Sequence, residues 1–120
     1  FGYRFHSIER GDVVVFWYPK DPSVSFIKRV VAVPGDTLEL RRGVLYVNGQ
    51  RQNEDAYLLP QYRGEDSVSL REVEKGFYFV LGDHRNSSND SRNWGEVPEK
   101  YIYGKAFFRF WPLSKSGFIR

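Results

Sequence analysis

Ser25-Phe26-Ile27-Lys28-Arg29-Val30-Val31-Ala32-Val33-Pro34-Gly35-Asp36 is the stretch from which the rest of the chain can be read. It starts as a run of β-branched and aromatic residues, the composition of a buried strand, and stops at a Pro-Gly-Asp turn. Lys28 does not fit that run. A charged lysine among apolar neighbours must reach water, pair with a carboxylate or lose its proton. Only the last makes chemistry: moving a lysine from its reference pKa of about 10.4 to near 7 needs desolvation on the order of 4 kcal/mol. Strand alternation puts Phe26 and Val30 on the same face as Lys28, where they can supply it, with Ile27, Arg29 and Val31 on the other face. A strand lysine can also snorkel from a sheet edge, and on this stretch alone that reading has the better claim.

The whole chain limits what surrounds this strand. Its 120 residues suit one domain with a real core. Ten Phe and eight Tyr favour β structure over a helical bundle. The net charge of +3 suits an anionic membrane surface or nucleic acid equally. With no cysteine, disulfides and thiolate metal sites are excluded, and two isolated histidines, His6 and His84, argue against a metal centre. No apolar run approaches the 18 or so residues of a membrane span, so the expectation is a soluble piece. The chain opens on Phe1 and holds no Met, which leads us to expect sequence upstream of it.

Outward from the lysine strand, Arg10-Gly11-Asp12 is a turn and Val13-Val14-Val15-Phe16-Trp17-Tyr18 a core strand. Pro19-Lys20-Asp21-Pro22-Ser23 is short enough to pair the two strands antiparallel. After Asp36, Thr37-Leu38-Glu39-Leu40, Arg42-Gly43, Val44-Leu45-Tyr46-Val47 and Asn48-Gly49 spell a meander of hairpins. Residues 50–76 are polar and weak in strand signal. Phe77-Tyr78-Phe79-Val80-Leu81 restarts the apolar pattern, and a last strand region runs from Tyr101 to Trp111. The expected fold is therefore mainly β, of twisted antiparallel sheets with little helix. Residues 1–40 and 77–120 are read as the core, and 41–76 as a small inserted β excursion. Phe107, Phe110 and Trp111 are candidates to face a lipid surface, although such aromatics are more often core.

The second chemical feature is Gly82-Asp83-His84-Arg85-Asn86-Ser87-Ser88-Asn89-Asp90-Ser91-Arg92, with two aspartates, two arginines and three serines in eleven residues. It reads equally as an Asx- and Ser-capped loop with one short helical turn near Ser87 to Asn93. If it folds over Lys28, a serine hydroxyl can aim the amine, and Asp90 with Arg92 can lock the loop. No Gly-x-Ser-x-Gly elbow or triad spacing marks any of these serines as a nucleophile.

Arg10-Gly11-Asp12-Val13-Val14-Val15-Phe16, then Lys28-Arg29-Val30-Val31 ending in Pro34-Gly35-Asp36, then Gly82 to Arg92 with Trp94-Gly95, resemble in order the sequence boxes of bacterial type I signal peptidases. Lys105 after Gly104 also suits that family's final strand. The resemblance implies a complex all-β, membrane-tethered serine endopeptidase without a cofactor, which removes signal peptides after small residues by a Ser/Lys dyad. It implies Lys28 as general base and Ser88 as the hydroxyl that orients it. Asp83, Arg85, Asp90 and Arg92 look like the loop's structural ion pairs, and Arg29 like a structural arginine beside the base. Ser25, Phe26 and Ile27 lie on the strand to which the extended signal peptide adds, with Val15 beside the small apolar pockets. His84 departs from the family's usual asparagine. The parent is implied to sit in the bacterial cytoplasmic membrane with its catalytic part on the outer side, touching the membrane surface and no nucleic acid.

One departure bears on activity. The family's nucleophile lies in a Ser-Met-x-Pro type box upstream of the Arg-Gly-Asp strand, and these 120 residues contain no such box. The fragment is therefore expected to supply the base without the nucleophile and to be inactive alone. Two other readings stand beside this one. One is a self-cleaving repressor-type Ser/Lys protease, against which the Ser88-x-Asp90-x-Arg92 ending argues. The other is an aromatic, basic β-barrel for single-stranded nucleic acid.

Overall fold

The computed structural model describes residues 7–106, which carry nine strands. The start of the chain with His6 and the end with Phe107, Phe110 and Trp111 lie outside the described residues. The fold is mainly β and antiparallel. A five-stranded sheet joins β1 (Val13–Tyr18), β2 (Asp21–Ala32), β7 (Phe77–Leu81), β8 (Val97–Pro98) and β9 (Ile102–Ala106) in the order β8-β7-β2-β1-β9. A four-stranded sheet joins β3 (Thr37–Arg41), β4 (Val44–Val47), β5 (Gln50–Arg51) and β6 (Val68–Glu72) in the order β5-β4-β3-β6. Among the described residues one short α-helix, α1 (Ser91–Trp94), follows the polar loop, beside three 3₁₀ turns. Among the described residues no helix is long and apolar enough to cross a membrane.

The side-chain alternation of β2 and β7, interrupted in β2 by a register shift between Val30 and Ala32, divides the core. Val31, Ala32, Phe79 and Leu81 point to one side, against Leu38, Leu40, Leu45 and Val47 of the second sheet. Val30, Tyr78 and Val80 point to the other, with Val14, Phe16, Val97 and Ile102, and Phe26 and Trp94 pack onto this second cluster. Strand β7 and the end of β2, from Lys28 to Ala32, are buried on both faces, which is why residues 30–32 and Phe77–Leu81 read as continuous apolar runs.

Three details differ from the sequence reading. The connection between the first two strands is shorter than expected: β2 starts at Asp21, and Pro22 sits inside it at a register shift where Trp17 faces Ser25 and Tyr18 faces Asp21. A proline is tolerated there because the shift breaks the hydrogen-bond ladder that its missing N–H would interrupt. Residues 37–40, grouped by sequence with the core strands, pair instead in the second sheet as part of β3. Finally, β6 forms within a stretch of weak strand signal, because Leu38 and Leu40 of β3 offer it partners at Arg71 and Val68. The hairpin turns follow the sequence closely: Arg42-Gly43 and Asn48-Gly49 each place both residues at positive φ, as a two-residue turn matched to strand twist demands.

Candidate functional site

Lys28 lies opposite Val14 of β1 and is 4% exposed, so the snorkelling reading does not hold. Its Nζ donates to Ser88 Oγ at 3.0 Å and stands 5.4 Å from the Phe26 ring. Burial drives the Lys28 pKa below its ordinary value. The Asp90 charge pulls it back up, Arg92 pushes it down again, and Asp83 adds a smaller upward pull. A neutral amine so placed can accept a proton from a hydroxyl brought to this end of β2.

Ser88 reaches Lys28 because of how the loop after β7 is built. Asp90 caps α1, accepting from the Arg92 N–H, and also accepts from Gly82 N at 3.0 Å and from the Arg92 guanidinium at 2.9 and 2.8 Å. Burial alone would raise the Asp90 pKa, but the Arg92 bonds and charge, the Gly82 N–H and the Ser88 hydroxyl outweigh it, so the carboxylate is held below its usual range. Ser91 Oγ accepts from Val80 N and fastens the helix start to β7. The helical turn expected near Ser87 to Asn93 is thus two pieces, a 3₁₀ turn at Arg85–Ser87 and α1.

The loop's charges pair differently from a set of ion pairs confined to the loop. Asp90 does pair with Arg92, which also reaches Asp66. Asp83, however, takes a forked bond from Arg29, with Nε and Nη2 each at 2.9 Å and both side chains fully buried. Arg29 also donates to Gly11 O, and its guanidinium lies 4.0 Å from the Tyr57 ring. Arg85 pairs with Glu54, a residue of the excursion that the sequence reading passed over. Nothing local in Asn53-Glu54-Asp55 distinguishes the buried acid from its exposed neighbour. Lys105 pairs with Asp12 at 3.0 Å, tying β9 to the turn before β1.

The residues expected along the substrate strand divide between two faces. Phe26 shares the Lys28 face and sits in an aromatic group with Phe16, Tyr18 and Trp94. Ile27 faces Val15 across the β1–β2 ladder and so lies on the opposite side, as does Ser25, whose hydroxyl accepts from Tyr103. Strand β7 pairs with β2 only from Arg29 to Ala32, so among the described residues Asp21–Lys28 has β1 as its one strand neighbour. Lys28 therefore stands where one edge of β2 opens. Among the described residues no three His, Cys, Asp or Glu side chains converge as a metal site requires.

Comparison with known proteins agrees with this architecture. The family model described as signal peptidase, peptidase S26, matches residues 1–111. The chain is similar to the probable signal peptidase I-1 of Synechocystis, with 43% identity over 96% of this chain and 61% of that protein. It is also similar to signal peptidase IB of Staphylococcus aureus, with 40% identity over 95% of this chain and 66% of that protein. It therefore spans just under two thirds of the length of these curated relatives. A crystal structure of a signal peptidase I from Enterococcus faecalis superposes with a TM-score of 0.71 at 30% identity, covering 83% of this chain and 97% of that one. With a model match across nearly all its residues and the same fold in a solved relative, the chain belongs to the signal peptidase family, peptidase S26.

Proposed function

We propose that these residues form the base-bearing part of a signal peptidase I, a serine endopeptidase that cuts signal peptides from exported preproteins after small residues. Lys28 is the general base of its Ser/Lys dyad. The observation that carries this reading is the buried Lys28 amine, bonded to Ser88 at the point where β2 loses its β7 neighbour. The neutral Nζ takes the proton of the serine hydroxyl as its oxygen attacks the scissile carbonyl carbon. The resulting ammonium returns that proton to the departing amine nitrogen as the C–N bond breaks, leaving an acyl ester. The same amine then takes a proton from the water that attacks the ester carbon and passes it to the serine oxygen as the C–O bond breaks, which restores both groups. The serine is supplied from outside these 120 residues, which do not turn over alone. The signal peptide adds as a strand along the open edge of β2, backbone bonds giving affinity and the side chains of each face giving selectivity. In the cell the active site works on the outer side of the bacterial cytoplasmic membrane.

The test uses a full-length protein that carries the upstream serine, assayed on a preprotein with Ala one and three residues before the cut. Lys28→Arg keeps charge and length but cannot be deprotonated. Both Lys28→Arg and Lys28→Met are expected to lower kcat by about 10²- to 10⁴-fold, the contribution of a positioned base. Wild-type activity should rise with pH through the lowered Lys28 pKa, because only the neutral amine accepts the proton. Near-normal turnover by Lys28→Arg would refute the assignment.

A further inference from the structure

We infer that Glu54, although it belongs to the second-sheet excursion, is a positioning residue for the proposed base: it holds the loop that sets the Ser88 hydroxyl on Lys28. This rests on the dyad reading above and extends it to a segment with no assigned part in the chemistry.

The loop from Gly82 to Arg92 has little apolar anchorage of its own, so its place over β2 depends on polar contacts. One set comes from below, through Arg29 to Asp83 and Val80 to Ser91. The other comes from residues 54–66, which cross its outer side. Glu54 takes a two-pronged bond from Arg85, Nη1 to Oε1 at 3.1 Å and Nη2 to Oε2 at 2.7 Å, with both residues buried. The Nε of the same Arg85 donates to Gly82 O at 2.8 Å, while Gly82 N donates to Asp90. The guanidinium therefore joins the excursion to the peptide at which β7 gives way to the loop. Tyr57 donates to Glu54 at 3.1 Å and lays its ring on Arg29, so the two ion pairs are braced against each other. Farther along, Gln61 O accepts from Asn86, and the Tyr62 ring lies 3.9 Å from that of His84.

Arg85 begins the 3₁₀ turn that delivers Ser88, three residues on. Freed from Glu54, a buried guanidinium must turn toward water or another acid, and it takes the turn with it. A hydroxyl that aims a base has to be held within about half an ångström, and a displacement near 1 Å costs about 10²-fold in rate. Asp90, Arg92 and Asp83 act on Lys28 through their charges, and none of these is replaced when Glu54 is changed. What changes is water access, and burial is the largest cause of the lowered Lys28 pKa.

The experiment is a double-mutant cycle in the full-length protein, comparing wild type, Glu54→Gln, Ser88→Ala and the double variant by kcat, KM, thermal midpoint and pH profile. Glu54→Gln is expected to lower kcat about 10- to 100-fold with little change in KM. The acidic limb should move to higher pH as water reaches the amine. In the Ser88→Ala background the same change should cost less than about 3-fold, because the group it positions is gone. Tyr57→Phe, which keeps the ring on Arg29 and removes the bond to Glu54, gives a milder version with the same coupling should Glu54→Gln fold poorly. Equal kcat losses in both backgrounds, or a lowered thermal midpoint with kcat and acidic limb unchanged in the folded protein, overturn the inference. Lys28→Arg in the same series reports on the dyad by itself. If it is active, the dyad reading falls and takes this inference with it; if it is inactive while Glu54→Gln is normal, only the inference falls.

Discussion

Lys28 shares its face with Phe26 and Val30, and burial lowers its pKa, so the folded chain binds a proton there less tightly than the unfolded chain does. Between the lowered folded value and the ordinary value of 10.5 the unfolded state holds more protons, and stability therefore rises with pH through that window. Below it the cost of the buried amine is present in full. Lys28→Met should accordingly be more stable than wild type at neutral pH, with the gap closing as pH approaches 10.5, as urea melts across pH would record. An unchanging gap would mean that the amine is not desolvated in solution. Ser88, half-buried in the loop, contributes differently. Its hydroxyl adds about 1 kcal/mol or less to stability where solvent can replace it, so Ser88→Ala should lose much of the rate of the full-length protein and little of its thermal midpoint. Matching losses in both would make it a folding residue.

At the scale of single elements, the β3–β4 hairpin fastens the second sheet to the segment that crosses the loop. Gly43 has φ +87°, and a Cβ there would collide with the Gly64 carbonyl, while Gly43 N donates to Asp66 O. Asp66 in turn meets Arg92. Gly43→Ala is thus opposed by backbone strain and by a close approach that cannot relax into a flexible side chain. It should destabilise by about 1–3 kcal/mol in a denaturant melt. Gly49→Ala, with positive φ but open space around it, should cost less. The difference between the two measures the close approach, and equal costs would show that φ alone matters.

Across the molecule, Arg29 joins parts that lie far apart in sequence: the turn before β1 through Gly11, the loop through Asp83, and the excursion through Tyr57. Removing one partner of a buried ion pair typically costs about 3–5 kcal/mol, a large share of the roughly 5–15 kcal/mol that holds a domain together. Arg29→Met should therefore lower the urea midpoint severely. Arg29→Lys should recover little, since an ammonium cannot fork onto a carboxylate. Near-wild-type stability in Arg29→Lys would show that the forked geometry is dispensable.

The sequence alone carried the strands and the family resemblance, because both are local. Period-two patterning put Phe26, Lys28 and Val30 on one face, Asn48-Gly49 specified its hairpin, and three motifs in order pointed to the signal peptidases. Whether Lys28 was buried could not be read from its neighbours, since a strand lysine is driven to water or away from it by what covers it. That cover is a loop sixty positions later in the chain. Glu54 and Asp55 are adjacent acids with equivalent local signals, yet one is buried against Arg85 and the other exposed. Strand β6 formed where its own residues argue weakly for it, because β3 supplied the partner. Chain geometry and side-chain period are set by nearest neighbours, whereas the burial and pairing of a charge depend on which distant segments the fold brings against it. That tertiary arrangement turned a doubtful lysine into a desolvated amine beside a serine.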